Sequence, residues 1–213
     1  MCEFILVKPL LSYSDLDDRV DVSSMSSLEE GFKAFKEDFN GALDICVPCA
    51  GVNKNIGFLD TPPEEFERLV GVNIRGVYYT TQLAAKAMVA NKTIHGSIIL
   101  VASIASYMAI RSQLSSAYCG TKGAVRAMCP AIAAELVKYG IRVNSISPGY
   151  VCTGMTAPFS HLLESWKDKI MNGRVAMPED IRGGCVFLAS DASSYMTGQD
   201  LVRHLYDCSL DNC

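Results

Sequence analysis

The chain has 213 residues, 49% of them hydrophobic, and its 19 basic and 23 acidic residues leave a net charge of -4. That is ample apolar sequence for one sizeable domain, and the absence of any basic block or stripe argues against nucleic acid or an anionic membrane as the main partner. No apolar run approaches the roughly 18 residues of a membrane span, and MCEFILVKPLLSY has Glu3 where a signal peptide is basic, so a cytoplasmic protein is expected.

In chain order, apolar strands alternate with amphipathic helices. The opening residues read as a strand or a ragged end. DRVDVS reads as a strand, and SSLEEGFKAFKEDFNG as a helix with a serine cap and a closing glycine. LDICVPCAG is a buried strand. TPPEEFERLVGVNIRGVYYTTQLAAKAMVAN reads as one long helix, with Thr61 as its candidate cap and prolines in its first turn. GSIILVAS is a strand, and SAYCGTKGAVRAMCPAIAAELVKYG a second long helix that Pro130 should kink. IRVNSISPG is a strand ending in a Pro-Gly turn, PEDIRGGCVFLAS a helix, and GQDLVRHLY a final strand. Such alternation implies parallel strands joined by right-handed crossovers. The expected fold is therefore α/β, a Rossmann-like doubly wound parallel sheet in one domain over residues 1–213. No repeat or linker divides it.

Nine cysteines are scattered along the chain, with one close pair, CVPC at Cys46 and Cys49. A thioredoxin-type redox motif needs a helix N-terminus directly after it to lower the thiol pKa. Here the pair ends a strand and runs into a glycine turn, which argues against redox work. His95, His161 and His204 have no ligand spacing with one another or with cysteines, so no metal site is expected.

In sheets of this kind, ligands bind in the crevice at the carboxyl ends of the strands. Five stretches fall there: Asp21–Val22, Cys49–Ala50–Gly51, Ser103, the helix start with Tyr118 and Lys122, and PGYVCT from Pro148 to Thr153. Each has an ordinary reading as turn, cap or helix surface, and Asn73 is most simply a polar helix residue. Their joint arrival in order at the correct ends favours a site. Tyr118 and Lys122, four apart, share one helix face. A free phenol and a free ammonium titrate near ~10 and ~10.4. An ammonium beside the phenolic oxygen favours the phenolate, and a tyrosine so tuned can exchange a proton with a carbonyl or alcohol oxygen.

From about Asp21 to about Leu201 the chain resembles the classical short-chain dehydrogenase/reductase family. The likeness rests on Tyr118-x-x-x-Lys122 opening a long helix, Ser103 ending the preceding strand, Asn73 on the earlier helix, SPGYVCT and SDASSYMTGQDLV. It implies an NAD(P)-dependent oxidoreductase interconverting a ketone or aldehyde and an alcohol, using NADP or NAD. By that resemblance Tyr118 would be the general acid/base, and Lys122 would depress its pKa and hydrogen-bond the nicotinamide ribose. Ser103 would orient the substrate oxygen, and Asn73 would hold a water relaying protons to Lys122. Asp21, Val22, Cys49, Ala50, Gly51, Pro148, Gly149, Val151 and Thr153 would contact the cofactor. The interval from Ser103 to Tyr118 resembles mannitol dehydrogenases and sorbose reductases, a lead toward polyol or ketose chemistry. Tyr107, Met108, Tyr150, Met155, Phe159 and Trp166 would line the substrate pocket, and the two long helices would pair copies into a homo-oligomer.

Three departures qualify what the resemblance implies. Nothing before Asp21 matches the glycine-rich turn that brings a cofactor pyrophosphate to a helix N-terminus. The family's Asn-Asn-Ala-Gly is Pro48-Cys49-Ala50-Gly51, and the end reads LVRHLYDCSLDNC in place of an Asp-Gly-Gly turn. The sheet is therefore expected to be truncated on its N-terminal side, with residues 3 to 11 filling part of the gap or an edge left unpaired, and the dinucleotide to bind weakly. A non-catalytic relative that has lost the cofactor phosphate site is the alternative.

Overall fold

The structure, a computed structural model, describes residues 5–7, 20–109, 113–157, 167 and 170–203. Phe159, Trp166 and the outer parts of the first and last expected strands lie outside the described residues.

Five strands form one sheet in the order β1 (Ile5–Val7), β2 (Ile45–Val47), β3 (Gly96–Val101), β4 (Ile141–Pro148) and β5 (Asp200–Arg203). β2 through β5 are parallel, as the alternation of strands and helices requires. β1 runs antiparallel to β2, pairing Ile5 with Val47 and Val7 with Ile45. Residues near the start of the chain thus fill the edge beside β2, as one of the two expected outcomes had it.

Among the described residues, helices run over α1 (Met25–Phe39), α2 (Pro63–Val70), α3 (Val77–Ala90), α4 (Ser116–Leu136) and α5 (Pro178–Ala189). β3 is central and, apart from Ser97, apolar because both of its faces are covered. Ile98 and Leu100 pack with Phe32 and Phe35 of α1, Val77 and Met88 of α3, and Val125 and Cys129 of α4. Ile99, between them, packs with Ile146 and with Leu188 of α5. Each such fully buried aliphatic side chain stabilises the fold by about 1.5–3 kcal/mol.

Three expectations are corrected. Residues 20–23 form a loop and turn, not a strand. The Asp21 carboxylate accepts from the backbone N–H and hydroxyl of Ser23 at 2.9 and 2.7 Å, a local bonding pattern that displaces strand pairing. Ser24 then caps α1, accepting from the Ser27 N–H at 3.4 Å. Thr61 caps nothing: its hydroxyl donates to the Gly57 carbonyl at 2.9 Å, and Pro62 occupies the cap position of α2. Finally, the long helix over 61–91 contains a π turn, Gly71–Gly76, between α2 and α3. α4 continues through Pro130 to Leu136.

Candidate active site

β3, the start of α4 and the π turn converge at the carboxyl ends of the strands. Ser103 lies two residues beyond β3 in extended conformation and caps a short 3₁₀ turn, Ile104–Ser106, its hydroxyl oxygen accepting from the Ala105 N–H at 3.2 Å. The turn closes on Ser103 itself, whose carbonyl accepts from the Ser106 N–H at 2.9 Å and hydroxyl at 2.6 Å. So held, Ser103 faces the Tyr118 phenol.

Tyr118 and Lys122 lie on one face of α4, and the Lys122 Nζ is 5.9 Å from the Tyr118 ring centroid. Lys122 is 3% exposed and donates to the Val101 carbonyl at 2.7 Å, at the end of β3. Burial pushes the Tyr118 phenol up to about 12, and the Ser103 hydroxyl beside it partly offsets this. Burial also brings the Lys122 ammonium down to about 8, against an opposing pull from Cys49. The ammonium gives its short bond to the Val101 carbonyl, and the Ser103 hydroxyl acts on the phenol in the lowering direction.

Asn73 is 0% exposed in the π turn, a helix distortion frequent at functional sites. Its Oδ1 accepts from the Val52 N–H at 2.9 Å, and its Nδ2 donates to the Val52 carbonyl at 2.9 Å and the Thr121 hydroxyl at 3.0 Å. The side chain thereby ties the loop after β2 to α4, beside Lys122. In that loop Ala50 is buried, Cys49 and Gly51 half-buried. A Cβ added to Gly51 would stand 3.6 Å from both Asn73 Oδ1 and Lys122 Nζ, and 3.7 Å from the Met155 methyl. Gly51 thus keeps open a cradle beside the lysine.

The remaining expected residues surround this centre. Pro148 ends β4, and Pro148, Gly149 and Val151 are half-buried. Val151 bridges Ala176 in parallel fashion, which fixes the loop's course. Thr153 is exposed and opens a turn, its carbonyl accepting from the N–H groups of Thr156 and Ala157. Val22 is buried against Gly76, where an added Cβ would meet its side chain at 2.7 Å. Asp21, beside it, is exposed, and the Ser23 hydrogen bonds hold its carboxyl below the usual carboxylate range. Contacts thus link Ser103, Tyr118, Lys122, Gly51 and Asn73 in one chain, with Asp21 and Val22 on a separate turn.

The expected pocket residues divide. Met155 reaches Gly51. Tyr150 is buried with Ile104 and Ile170, Met108 packing against them, and borders a cavity of about 280 Å³ that Arg174 and Asn172 also line. Tyr107 turns its hydroxyl to Asp200. Sequence reasoning missed Thr121 and Val52, the anchors of Asn73; the only signal was Thr121's place beside Lys122. Cys46 is fully buried in β2 with its thiol pushed well up, unlike a redox thiolate.

The family described as enoyl-(acyl carrier protein) reductase matches residues 13–203. A sorbose reductase of Schizosaccharomyces pombe is 33% identical over 183 residues, 85% of this chain and 71% of its own. A short-chain type dehydrogenase/reductase from Mycobacterium marinum superposes with a TM-score of 0.83 at 40% identity, over 86% of this chain and 72% of its own. A gluconate 5-dehydrogenase from Burkholderia cenocepacia, solved with NADP and tartrate, superposes with a TM-score of 0.79 at 30% identity, over 86% and 71%. With the sheet, the Ser103–Tyr118–Lys122 constellation and these relatives together, the chain belongs to the classical short-chain dehydrogenase/reductase family of oxidoreductases.

Proposed function

We propose that this chain is an NAD(P)-dependent oxidoreductase that interconverts a ketone or aldehyde and the corresponding alcohol, with Tyr118 as the proton-exchanging residue. The observation carrying this reading is the approach of the Ser103 and Tyr118 hydroxyls to one another in front of the buried ammonium of Lys122. Two hydroxyls so placed can grip one substrate oxygen, Ser103 orienting it and Tyr118 giving or taking its proton.

The cradle at Gly51, which a Cβ would fill, fits the nicotinamide-ribose end of the family's cofactor, with Lys122 and Tyr118 as its hydrogen-bonding partners. Thr153, Val151, Gly149 and Pro148 would flank it on the other lip, Cys49 and Ala50 on the near one, and Asp21 and Val22 would face the adenine. When bound, NAD(H) or NADP(H) supplies or accepts the hydride. The protein's part is to fix the substrate oxygen and move its proton. Lys122 keeps positive charge behind the phenol, and Asn73 holds the loop that shapes the cradle.

For substrate, a polyol–ketose pair has the support of the sorbose reductase among the relatives. The experiment is steady-state assay with NADPH and NADH against ketoses, a linear ketone and a bulky cyclic ketone. Turnover of a ketose that Tyr118→Phe lowers by about 10²–10⁴-fold is expected. No turnover with any carbonyl at saturating cofactor overturns the reading.

A further inference from the structure

We propose that Tyr107 is a positioning residue for Ser103, clamping the turn that carries it onto β5 through Asp200. The proposal rests on the reading of Ser103 given above, and it adds residues to which the family resemblance gave no such role.

The turn after β3 is short and closes on itself, so the bonds inside it do not fix where it sits on the sheet. Tyr107 ends it, its N–H donating to the Ile104 carbonyl at 2.9 Å, and its side chain leaves the turn for the sheet. There its hydroxyl donates to Asp200 Oδ2 at 2.5 Å. Asp200 opens β5 and lies opposite Ser145 in the parallel ladder. Its carboxylate also accepts from the Ser145 hydroxyl at 2.6 Å and the Ser147 hydroxyl at 2.7 Å. Both serines are 0% exposed and, two apart in β4, project from one face. Three short hydroxyl bonds to one carboxylate are of the strong, charge-assisted kind.

The other side of the clamp comes from α4. The Arg126 guanidinium lies 4.2 Å from the Tyr107 ring centroid. Arg126 follows Lys122 by four residues and Tyr118 by eight, so one helix face carries all three. Tyr107 is thus gripped between the helix that bears Tyr118 and the strand that bears Asp200, four residues after Ser103. Burial and Asp200 push its phenol up against an opposing effect of Arg126, which keeps it a donor at neutral pH. The groups facing Tyr118 are Ser103 from the turn and Cys119 and Lys122 from its own helix. Of these, Ser103 depends on the clamp.

Tyr107→Phe deletes the hydroxyl and keeps the ring for Arg126. The reporter is the ring ¹³Cζ resonance of Tyr118 in tyrosine-labelled full-length protein at neutral pH, assigned by its loss in Tyr118→Phe. Ser103→Ala supplies the position of that resonance without the Ser103 hydroxyl. In Tyr107→Phe, and in Asp200→Asn as an independent variant, the resonance should move toward the Ser103→Ala position. In Ser147→Ala, which weakens the same carboxylate without touching the turn, it should stay. With substrate, Tyr107→Phe should lower kcat about tenfold or more with KM little changed, because a slightly misplaced group costs most in the transition state. A wild-type Tyr118 resonance in folded Tyr107→Phe and Asp200→Asn overturns the proposal, as does an equal shift in Ser147→Ala or an unaltered kcat in a working enzyme. The resonance needs no turnover, so it decides the clamp even if the oxidoreductase reading itself fails.

Discussion

The two ends of the crevice are built by different kinds of contact. At one end, Lys122 reaches Val101, and Asn73 reaches Val52 and Thr121, across 21, 21 and 48 residues of chain. These groups are buried and each holds another. At the other end Asp21 is exposed, and its bonds run to Ser23, Ser24 and Ser27. The first end therefore couples chemistry to the fold, so each change there alters activity and stability in its own proportion. The second is a local turn, and its geometry survives as long as that turn does.

Tyr118→Phe tests the chemical half of this contrast with the largest effect. Turnover should fall by about 10²–10⁴-fold while the thermal midpoint changes little, since one hydroxyl is lost and the ring remains. Steady-state kinetics beside a melting curve would show it, and a variant that melts early would mean that the hydroxyl is structural.

Lys122→Met separates chemistry from stability. The buried ammonium is brought down to about 8 from an ordinary 10.5, so folding disfavours its proton. That penalty, about 3 kcal/mol, is full below pH 8 and fades as pH rises to 10.5, where the unfolded chain also loses the proton. The variant should therefore be inactive yet more stable than the native chain at pH 7, with the gap closing in alkali. Denaturant melts at pH 7 and at pH 10 check both sign and direction, and a less stable variant at neutral pH would show that the Val101 bond outweighs burial.

Asn73→Ala should be next, destabilising the protein by about 2–3 kcal/mol because buried partners on Val52 and Thr121 lose their bonds. A urea midpoint measures it. Asp21→Ala should be the smallest, within about 1 kcal/mol in stability, with cofactor affinity weakened by less than tenfold in a calorimetric titration. A loss as large as that of Asn73→Ala would erase the distinction between the two ends.

Much of this arrangement is legible in the sequence for definite reasons. The four-residue step from Tyr118 to Lys122 fixes a shared face once α4 is a helix, and the apolar run of β3 reads as a strand covered on both sides. The π turn was not legible, because the residues from Gly71 to Gly76 continue an ordinary helical pattern. Residues 20–23 look like a strand by alternation, but Asp21 and the serines after it satisfy one another locally. The direction of Tyr107 depended on Asp200, 93 residues away, and on two serines whose alternation in β4 marks a buried polar face only once β5 is in place.

β1 gives the fold an order of assembly. Ile5–Val7 precedes β2 in the chain by some forty residues, yet it can dock only after β2 exists to receive it. Its ladder is three residues long, while β3 and β4 share six paired positions. Closure of that margin is therefore a late event and its reopening an early one, a local fraying well below the global unfolding free energy. Amide exchange should record this as weak protection at Ile45 and Val47, whose N–H groups face β1, beside strong protection at Ile98 and Leu100.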